Sequence, residues 1–415
     1  MKTREFRIAL KNAGRIDPTS IEAYEAAGGF KALARALEML PDQIIAELTA
    51  SNLRGRGGAG FPTGAKNRFA SESLCRFCGP KYIVCNADEG EPGTFKDRII
   101  MEQDPHLLIE GMIIAAYAIG ATRGYIYIRG EYHPSIRRIR QAIEASYRKG
   151  YLGDSVLGSG HALDLEVKLG AGSYLCGEEL TLLESLEGKR GYPRIKPPYP
   201  AQKGLWNAPT LINNVETFAH IPYIVEKGAA HYKTIGCASA PGTKIFTVSG
   251  DVNRPGHYET EMGVTLRELI DGFALGVARG KAFKAALVGG AAGAFVDETV
   301  LDTPLTYDDM QARGAVLGSG AVIVLDEDRS FCDMTASILR FFRHESCGKC
   351  VPCRIGTNLL VEMIESVRQD KAGRRQMLAQ MVAEARYMAG TSLCPLGQSP
   401  ILPLGSLMRY FQDHF

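Results

Sequence analysis

No stretch of this chain is apolar for long enough to cross a bilayer. The longest uninterrupted run, Met112–Ala121, falls short of the roughly 20 residues that a spanning helix needs. Charge of one sign is also missing: the formal net charge is +2, which leaves no footprint for nucleic acid or an anionic membrane surface. Nothing at the N-terminus resembles a secretory signal, and ten cysteines in 415 residues are too sparse for a disulfide-stapled scaffold. These absences exclude a membrane span and lead us to expect a cytoplasmic protein, peripheral to a membrane only through partners. What remains is ordinary globular composition, 45% hydrophobic and 23% charged, long enough for two or three domains with ample cores.

Four of the cysteines form a pattern. Cys347, Cys350 and Cys353 stand in Glu345-Ser-Cys-Gly-Lys-Cys-Val-Pro-Cys-Arg354, and Cys394 follows later with Pro395 directly after it. C-x2-C-x2-C with a distant Cys-Pro is the ligand pattern of a 4Fe–4S cubane, in which each iron takes one thiolate. Structural zinc is the alternative, but it normally takes two separated C-x2-C knuckles, and here the second half is a lone cysteine. The spacing therefore favours a one-electron carrier.

Along the chain, residues 1–50 read as a polar helical segment. Lys81–Cys85 and Tyr125–Ile128 read as strands, and Leu107–Ile119 as a buried helix. Pro134–Lys149 reads as an amphipathic helix with proline at its first position and Gly150 as its stop. Leu163–Leu169 alternates as a half-buried strand does. Strands alternating with helices to about residue 235 predict a largely parallel sheet. Beyond Pro241, short strands at Lys244–Val248, Ala286–Val288 and Ala321–Leu325 and a brief helix near Thr265–Ile270 predict a small α+β unit. From Phe331 onward the pattern is helical, a bundle with the cluster cysteines in its loops.

Glycine is plentiful, 46 residues, and concentrated in loops. The first loop, Ser51–Lys66, lacks the Gly-Lys-Ser/Thr ending of a P-loop and follows no clean strand. Its uncovered N–H groups with Arg54, Arg56 and Lys66 suit an anion, although a flexible basic loop explains it equally well. The second, Gly170–Gly177, runs from strand to glycine turn to helix and aims a helix N-terminus at its ligand. Glu178 and Glu179 open that helix, where acidic side chains also simply complement the dipole. Asn86–Gly93 sets Asp88, Glu89 and Glu91 after a buried strand, either as a solvated acidic turn or as a ligand-binding strand end. Lys196-Pro-Pro-Tyr-Pro200 reads as a stiff polyproline-like segment.

Taken together, several stretches carry a resemblance: Arg54–Gly64, Cys85–Arg98, Gly170–Glu179, Lys196–Pro200, Ile212-Asn-Asn-Val-Glu-Thr217, Ser346–Arg354 and Ser392–Pro395. From about residue 45 onward, the chain resembles the NADH-oxidising flavoprotein subunit of respiratory complex I. It is similar in the same way to the diaphorase subunits of NAD-linked hydrogenases, formate dehydrogenases and aldehyde oxidoreductases. The resemblance implies a fold in four parts: an N-terminal helical segment over 1–50, a Rossmann-like α/β FMN- and NAD(H)-binding domain over 51–238, a β-grasp-like α+β domain over 239–328, and a C-terminal four-helix bundle over 329–415 carrying the 4Fe–4S cluster.

It implies FMN (the residues alone do not separate it from FAD) against Gly55, Arg56, Gly57, Gly58, Lys66, Asn86, Asp88, Glu89, Gly90, Tyr174, Gly177, Glu178, Asn213 and Asn214. NAD(H) is implied near Phe61, Phe69, Glu91, Glu179, Lys196 and Tyr199, and the cluster on Cys347, Cys350, Cys353 and Cys394. The chemistry is flavin-based, with no side chain acting as acid or base and with Glu89 and Glu91 as modulators. Hydride exchanges between NAD(H) and FMN, and single electrons pass through the cluster to or from partner iron–sulfur subunits, among them a thioredoxin-like or ferredoxin-like one. The parent complex is either respiratory or a soluble NAD+-reducing hydrogenase, formate or aldehyde oxidoreductase. Departures from the family pattern are Tyr199 in place of phenylalanine, Asn67 where tryptophan is common, Gly90 at a variable position, and Cys75-Arg-Phe-Cys78, which has no counterpart and is expected to hold two free thiols. A fused thioredoxin-like domain is not expected.

Overall fold

The computed structural model describes residues 5–73, 79–369, 373–412 and 415; Cys75 and Cys78 lie outside them. The first layer is a sheet of four parallel strands, β1 (Lys81–Ala87), β2 (Ala121–Arg129), β3 (Asp164–Gly170) and β4 (Thr210–Asn214), in the order β3-β2-β1-β4. Ile83, Val84 and Cys85 of β1 are fully buried, as continuous apolar strands in parallel sheets must be. The helices α1 (Lys96–Gln103) and α2 (Pro105–Ile119) join β1 to β2. α2 is buried almost all round, which matches its apolar sequence. The helix His133–Arg148 ends before Gly150, whose φ of 74° only glycine adopts freely. β3 alternates as expected, but it is an edge strand, so Leu169 on its outer side stays exposed.

Two further helices place the ligand-facing loops: α3 (Glu179–Leu186) after β3 and α4 (Val215–Lys227) after β4. The helices Ile21–Ala26, Lys31–Glu38 and Pro41–Ala50 fold back onto this layer. Buried carboxylates tie that N-terminal segment down. Glu110 of α2 accepts from the Tyr24 hydroxyl (2.5 Å) and the Leu33 N–H (3.0 Å), and Asp104 accepts from the Asn12 amide at 2.8 Å.

The second sheet has five strands: β5 (Thr243–Gly250), β6 (Gly256–Glu261), β7 (Phe283–Val288), β8 (Ala294–Val296) and β9 (Ala321–Asp326), in the order β8-β7-β9-β5-β6. Only β5 and β9 pair in parallel. The sequence pattern misses β6, because its His-Tyr-Glu-Thr-Glu run is polar, and β8, because it is three residues long and follows a glycine cluster. The helical turn expected near Thr265–Ile270 falls at Glu268–Phe273 with π-type bonding. Glu259 explains the polar run of β6. Its buried carboxylate accepts from the N–H groups of Ile8 (2.8 Å), Ala9 (2.9 Å) and Leu10 (2.8 Å) and from the Thr243 hydroxyl.

The C-terminal part is helical: α5 (Phe331–Glu345), α6 (Val351–Gln369), α7 (Arg374–Thr391), α8 (Pro395–Gln398) and α9 (Ile401–Tyr410). The inward face of α5 is Phe331, Thr335, Ile338, Leu339 and Phe342, with Met334 and Phe341 only half-buried. Glu345 at the end of α5 accepts the Tyr174 N–H (2.9 Å), and the rings of Tyr174 and Phe341 lie 5.0 Å apart. The bundle is thereby fastened to the loop after β3.

Burial raises the Glu259 carboxyl from its ordinary 4.5 to about 7, against the pull of its four donors. A pKa raised on folding gives stabilisation that is full below the unfolded value and lost as pH rises through the folded one. Amide exchange of Ile8–Leu10 is therefore expected to accelerate between about pH 4.5 and pH 7 beyond the intrinsic base-catalysed rise. Glu259→Gln, read by hydrogen-exchange mass spectrometry, should remove that excess.

Candidate functional site

A cavity of about 890 Å³ opens at the C-terminal ends of β1 and β4, where the chain leaves β1 in opposite directions across the sheet. That switch point is where open α/β sheets bind ligands. Asn86 from β1 and Ile212, Asn213 and Asn214 from β4 form its floor. The first glycine loop forms one wall and Gly177–Glu179 another, and the Asn86 amide bonds the Gly177 carbonyl at 2.7 Å to hold the two sides in register. Phe61, Phe69 and Tyr199 stand half-exposed at its mouth. Glycine is required at 57, since a Cβ there would sit 3.0 Å from the Asn214 Cβ, and at 60, where φ is 64° and a Cβ would meet the Tyr307 ring at 2.7 Å.

Charge inside the cavity is paired. Glu179 accepts from Lys66 (3.1 Å) and Lys196 (2.9 Å), and Lys196 also reaches Glu178 at 3.0 Å. Burial alone would raise the Glu179 carboxyl, but the two lysines outweigh it and hold it at about 2. Glu178 is the N-cap of α3, its carboxylate accepting the N–H groups of Leu180 (3.0 Å) and Thr181 (2.9 Å). Among the described residues, the buried Asn213 side-chain N–H₂ has no partner.

Behind the floor lies a buried ion network that sequence reading missed. Lys96 meets Asp97 (2.7 Å), Glu216 (2.9 Å) and the Asn214 carbonyl oxygen (3.1 Å), while the Asn214 amide donates to Asp97 at 2.6 Å. Lys244 from β5 lies 3.5 Å from Glu216 and donates to the Arg56 backbone carbonyl at 3.2 Å. Burial pushes the Glu216 carboxyl up, yet Lys244 and Lys96 bring it to about 2. The network's only trace in the sequence is Glu216 of the Asn-Asn-Val-Glu-Thr stretch and the Lys96-Asp97 pair, which stand at the starts of two helices.

The four motif cysteines converge at the bundle end. Cys353 and Cys394 are buried, while Cys347 and Cys350 are half-buried. Cys353 Sγ lies 3.3 Å from Ser346 Oγ, and a Cβ on Gly397 would press on the Cys353 Cβ at 2.9 Å. Cys394 is the N-cap residue of α8, in extended backbone, and Pro395 is the first residue of the helix. Among the described residues no three Cys, His, Asp or Glu side chains close on a single-ion site, whereas a cubane gives each thiolate its own iron. Pro395, the next residue, lines the cavity.

Comparison with known proteins places this geometry. Residues 48–223 match the model of the Nuo51 FMN-binding domain, 333–415 that of the NADH-ubiquinone oxidoreductase-F iron-sulfur binding region, and 245–290 the SLBB domain. The NADH-quinone oxidoreductase F 2 subunit of Rhizobium meliloti is 46% identical over 98% of this chain and 96% of its own length. The chain belongs to the family of NADH-quinone oxidoreductase F subunits. Another relative, the NADP-reducing hydrogenase subunit HndC of Solidesulfovibrio fructosivorans, is 44% identical over 99% of this chain and 83% of its own. An NAD+-reducing [NiFe]-hydrogenase in the H2-reduced state overlays with a TM-score of 0.81 at 38% identity, covering 91% of this chain; the chain spans 63% of that one.

As a member of this family, the chain is an NADH-reacting FMN and 4Fe–4S oxidoreductase subunit. The cavity fits FMN: uncovered glycine-loop N–H groups and Lys66 for a phosphate, the unpartnered Asn213 amide for a ring acceptor, and aromatic rings at the mouth. The structure gathers Gly55, Gly57, Gly58, Lys66, Asn86, Gly177, Glu178, Asn213 and Asn214, with Phe61, Phe69, Glu179, Lys196 and Tyr199, around this one cavity.

The other expected residues line no part of it. The Arg56 guanidinium turns into the protein and bonds the Pro241 carbonyl at 3.0 Å, because that buried oxygen between the sheets needs a donor. Glu89 is buried against the start of α1, accepting the N–H groups of Asp97 (2.7 Å) and Arg98 (3.2 Å). Asp88 lies buried 3.5 Å from Arg129, and Gly90 is wedged between Arg129 and Tyr174. Glu91 accepts from the Tyr174 hydroxyl (2.5 Å) and the Ala292 N–H (2.9 Å), tying the acidic turn to the second sheet. The Lys196–Pro200 segment runs through two cis bonds, not an extended polyproline helix.

Truncating Glu216 leaves Lys244 buried without a counter-charge and Lys96 with Asp97 alone, a loss of about 3–5 kcal/mol by the usual cost of breaking such pairs. Glu216→Ala should lower the denaturant midpoint accordingly and weaken flavin retention on gel filtration.

Proposed function

We propose that this subunit exchanges hydride between NAD(H) and FMN in the cavity, and single electrons between FMN and the cluster, for partner iron–sulfur subunits of its complex. The observation that carries the reading is Pro395, which follows Cys394 and lines the cavity. One wall therefore serves the nucleotide site and the cluster site, and electrons need cross no further domain. Bound FMN supplies the conversion between two-electron and one-electron chemistry.

The protein's own part is orientation and electrostatics. The N–H groups of Gly57 and Gly58 with Lys66 hold the flavin phosphate, Gly55 shapes the loop by donating its N–H to the Phe61 carbonyl at 2.8 Å, and the Asn213 side chain meets the ring end on a floor that Asn214 and Asn86 hold in place. Phe61, Phe69 and Tyr199 cover NAD(H), while Lys196 and Glu179 meet its polar groups; their ion pair must open to do so. Glu91 acts as a positioning residue through Tyr174, and Glu89 through its cap on α1. The assignment of a Rossmann-like domain to 51–238, a β-grasp-like domain to 239–328 and a helical bundle to 329–415 is supported by a parallel sheet, a mixed sheet and helices in those ranges. A cytoplasmic location fits cysteines that must stay reduced to ligate iron, and no described helix is long and apolar enough to cross a membrane.

Two settings fit, and the partner sets the direction: oxidation of NADH in a respiratory complex, or reduction of NAD+ in a hydrogenase, formate or aldehyde oxidoreductase assembly. The Rhizobium relative's name supports the first and the hydrogenase relatives the second. A thioredoxin-like or ferredoxin-like cluster subunit is the expected neighbour in both.

The purified protein should absorb in the blue as a flavin does, with a broad brown cluster shoulder, and NADH should bleach both; a colourless protein would overturn the reading. Glu91→Gln is expected to change the KM for NADH or the ferricyanide reduction rate by several-fold. If both stay at wild-type values, Glu91 has no positioning role.

A further inference from the structure

We propose that two serine hydroxyls, Ser346 Oγ and Ser392 Oγ, donate hydrogen bonds to sulfurs of the cluster and raise its reduction potential. The proposal rests on the reading above that Cys347, Cys350, Cys353 and Cys394 hold the 4Fe–4S cluster, and it names side chains that tune that group.

Ser346 is the residue after α5 and stands directly before Cys347. Its Oγ lies 3.3 Å from Cys353 Sγ and accepts the Gly348 N–H at 3.4 Å. A thiolate bound to iron carries no proton, so the hydroxyl is the donor of that pair and the sulfur the acceptor. Ser392 lies at the end of α7, just before Leu393 and Cys394. It is 8% exposed, and among the described residues its Oγ has no hydrogen-bond partner. A Cβ built on Gly397 would stand 2.5 Å from that oxygen and 2.9 Å from Cys353 Cβ. The Ser392 hydroxyl and the Cys353 side chain therefore meet over the open face of one glycine.

Other hydroxyls around the cysteine loop are taken up by the backbone. Thr357 donates to the Cys353 carbonyl, Thr391 to that of Tyr387 and Ser399 to that of Pro395, each at 2.7 Å. Ser392 does not follow them. Its backbone leaves the helix in extended form (φ −78°, ψ 147°), which turns the side chain off the helix axis, and its N–H already meets the Met388 carbonyl at 2.9 Å. A buried hydroxyl left without an acceptor is costly and uncommon in folded proteins. A cluster sulfur on the Cys353 side supplies the acceptor that the protein does not.

Hydrogen bonds to the sulfurs are among the factors that set the potential of such a cluster. The reduced cluster carries one more negative charge, so a donor stabilises it more than it stabilises the oxidised form. One electron passes in either direction, and both hydroxyls keep their protons.

The test is a redox titration of the flavin- and cluster-loaded subunit, followed by the EPR signal of the reduced cluster. Ser346→Ala and Ser392→Ala should each disfavour reduction about tenfold, a midpoint ~59 mV lower for one electron. Ser346→Thr, which keeps the hydroxyl, should stay near the wild-type midpoint. Thr357→Val, which removes only a hydroxyl bonded to the backbone, should do the same. In D2O, pulsed EPR of the wild type should show exchangeable deuterons coupled to the cluster, with some of that coupling lost in each alanine variant.

A midpoint unchanged or raised in either alanine variant at wild-type iron content would overturn the role of that serine. An equal shift in Thr357→Val, or deuteron couplings that survive both alanine substitutions, would overturn the whole proposal. So would loss of iron from both alanine variants, since the serines would then serve only to hold the loop. A wild type that binds no iron under reducing reconstitution would count instead against the cluster reading itself.

Discussion

Everything at the candidate site leans on one buried carboxylate, Glu216. It lies in the first turn of α4, directly behind the cavity floor, and neutralises Lys96 from the first layer and Lys244 from the second sheet. Lys96 in turn holds the carbonyl end of Asn214 while Asp97 takes its amide end, so both ends of a floor residue are fixed. Lys244 reaches past Glu216 to the Arg56 carbonyl and so pins the back of the glycine loop. Two sheets and a loop are locked together by charges that have nowhere else to go, since an unpaired ion at that depth is far costlier than the ordered pair.

That lock gives the flexible-looking glycine loop a defined shape. Its backbone is held by the Gly55 N–H to the Phe61 carbonyl and the Arg56 N–H to the Thr217 hydroxyl, and it packs closely at Gly57 against Asn214 and at Gly60 against Tyr307. The same principle runs through the periphery. Glu110 and Glu259 bury carboxylates to gather N–H groups of the N-terminal segment, and Glu345 does so for the loop after β3. The carboxylates of Glu110, Glu259 and Glu345 serve as staples, whereas Glu179 with its two lysines faces a ligand-sized space.

The bundle and the cavity meet at the short helix α8. Cys394 caps it and Pro395 begins it, so the sulfur faces the other motif cysteines while the next residue faces the nucleotide cavity. A redox path is thereby shortened by backbone geometry alone. Beyond the cysteine loop, the first turns of α6 carry the exposed apolar side chains Val351 and Ile355.

The cysteine spacing, the alternation of strands with helices and the glycine-rich turns were legible because each is a local pattern: thiolate geometry, side-chain period and permitted φ all act over a few residues. The main strands and helices followed from them, apart from β4, β6 and β8, whose polar or very short runs carry no period. The glycine loops and asparagines gathered at the cavity were nameable from their motifs. What those motifs could not say is which way a side chain turns. Arg56 and Glu89 sit in the same stretches as Gly57 and Asn86 yet point into the protein, because a buried carbonyl and a helix start claim them. Nothing in the local sequence pairs Lys96 or Lys244 with Glu216; the fold alone places both beside it. By itself the sequence determined the chemistry that can be present, since residue type and spacing fix which groups can bind iron, phosphate or an aromatic ring. Only the tertiary structure decided which of them share a cavity and which are consumed in holding it, since pairing between distant charges depends on how the layers pack.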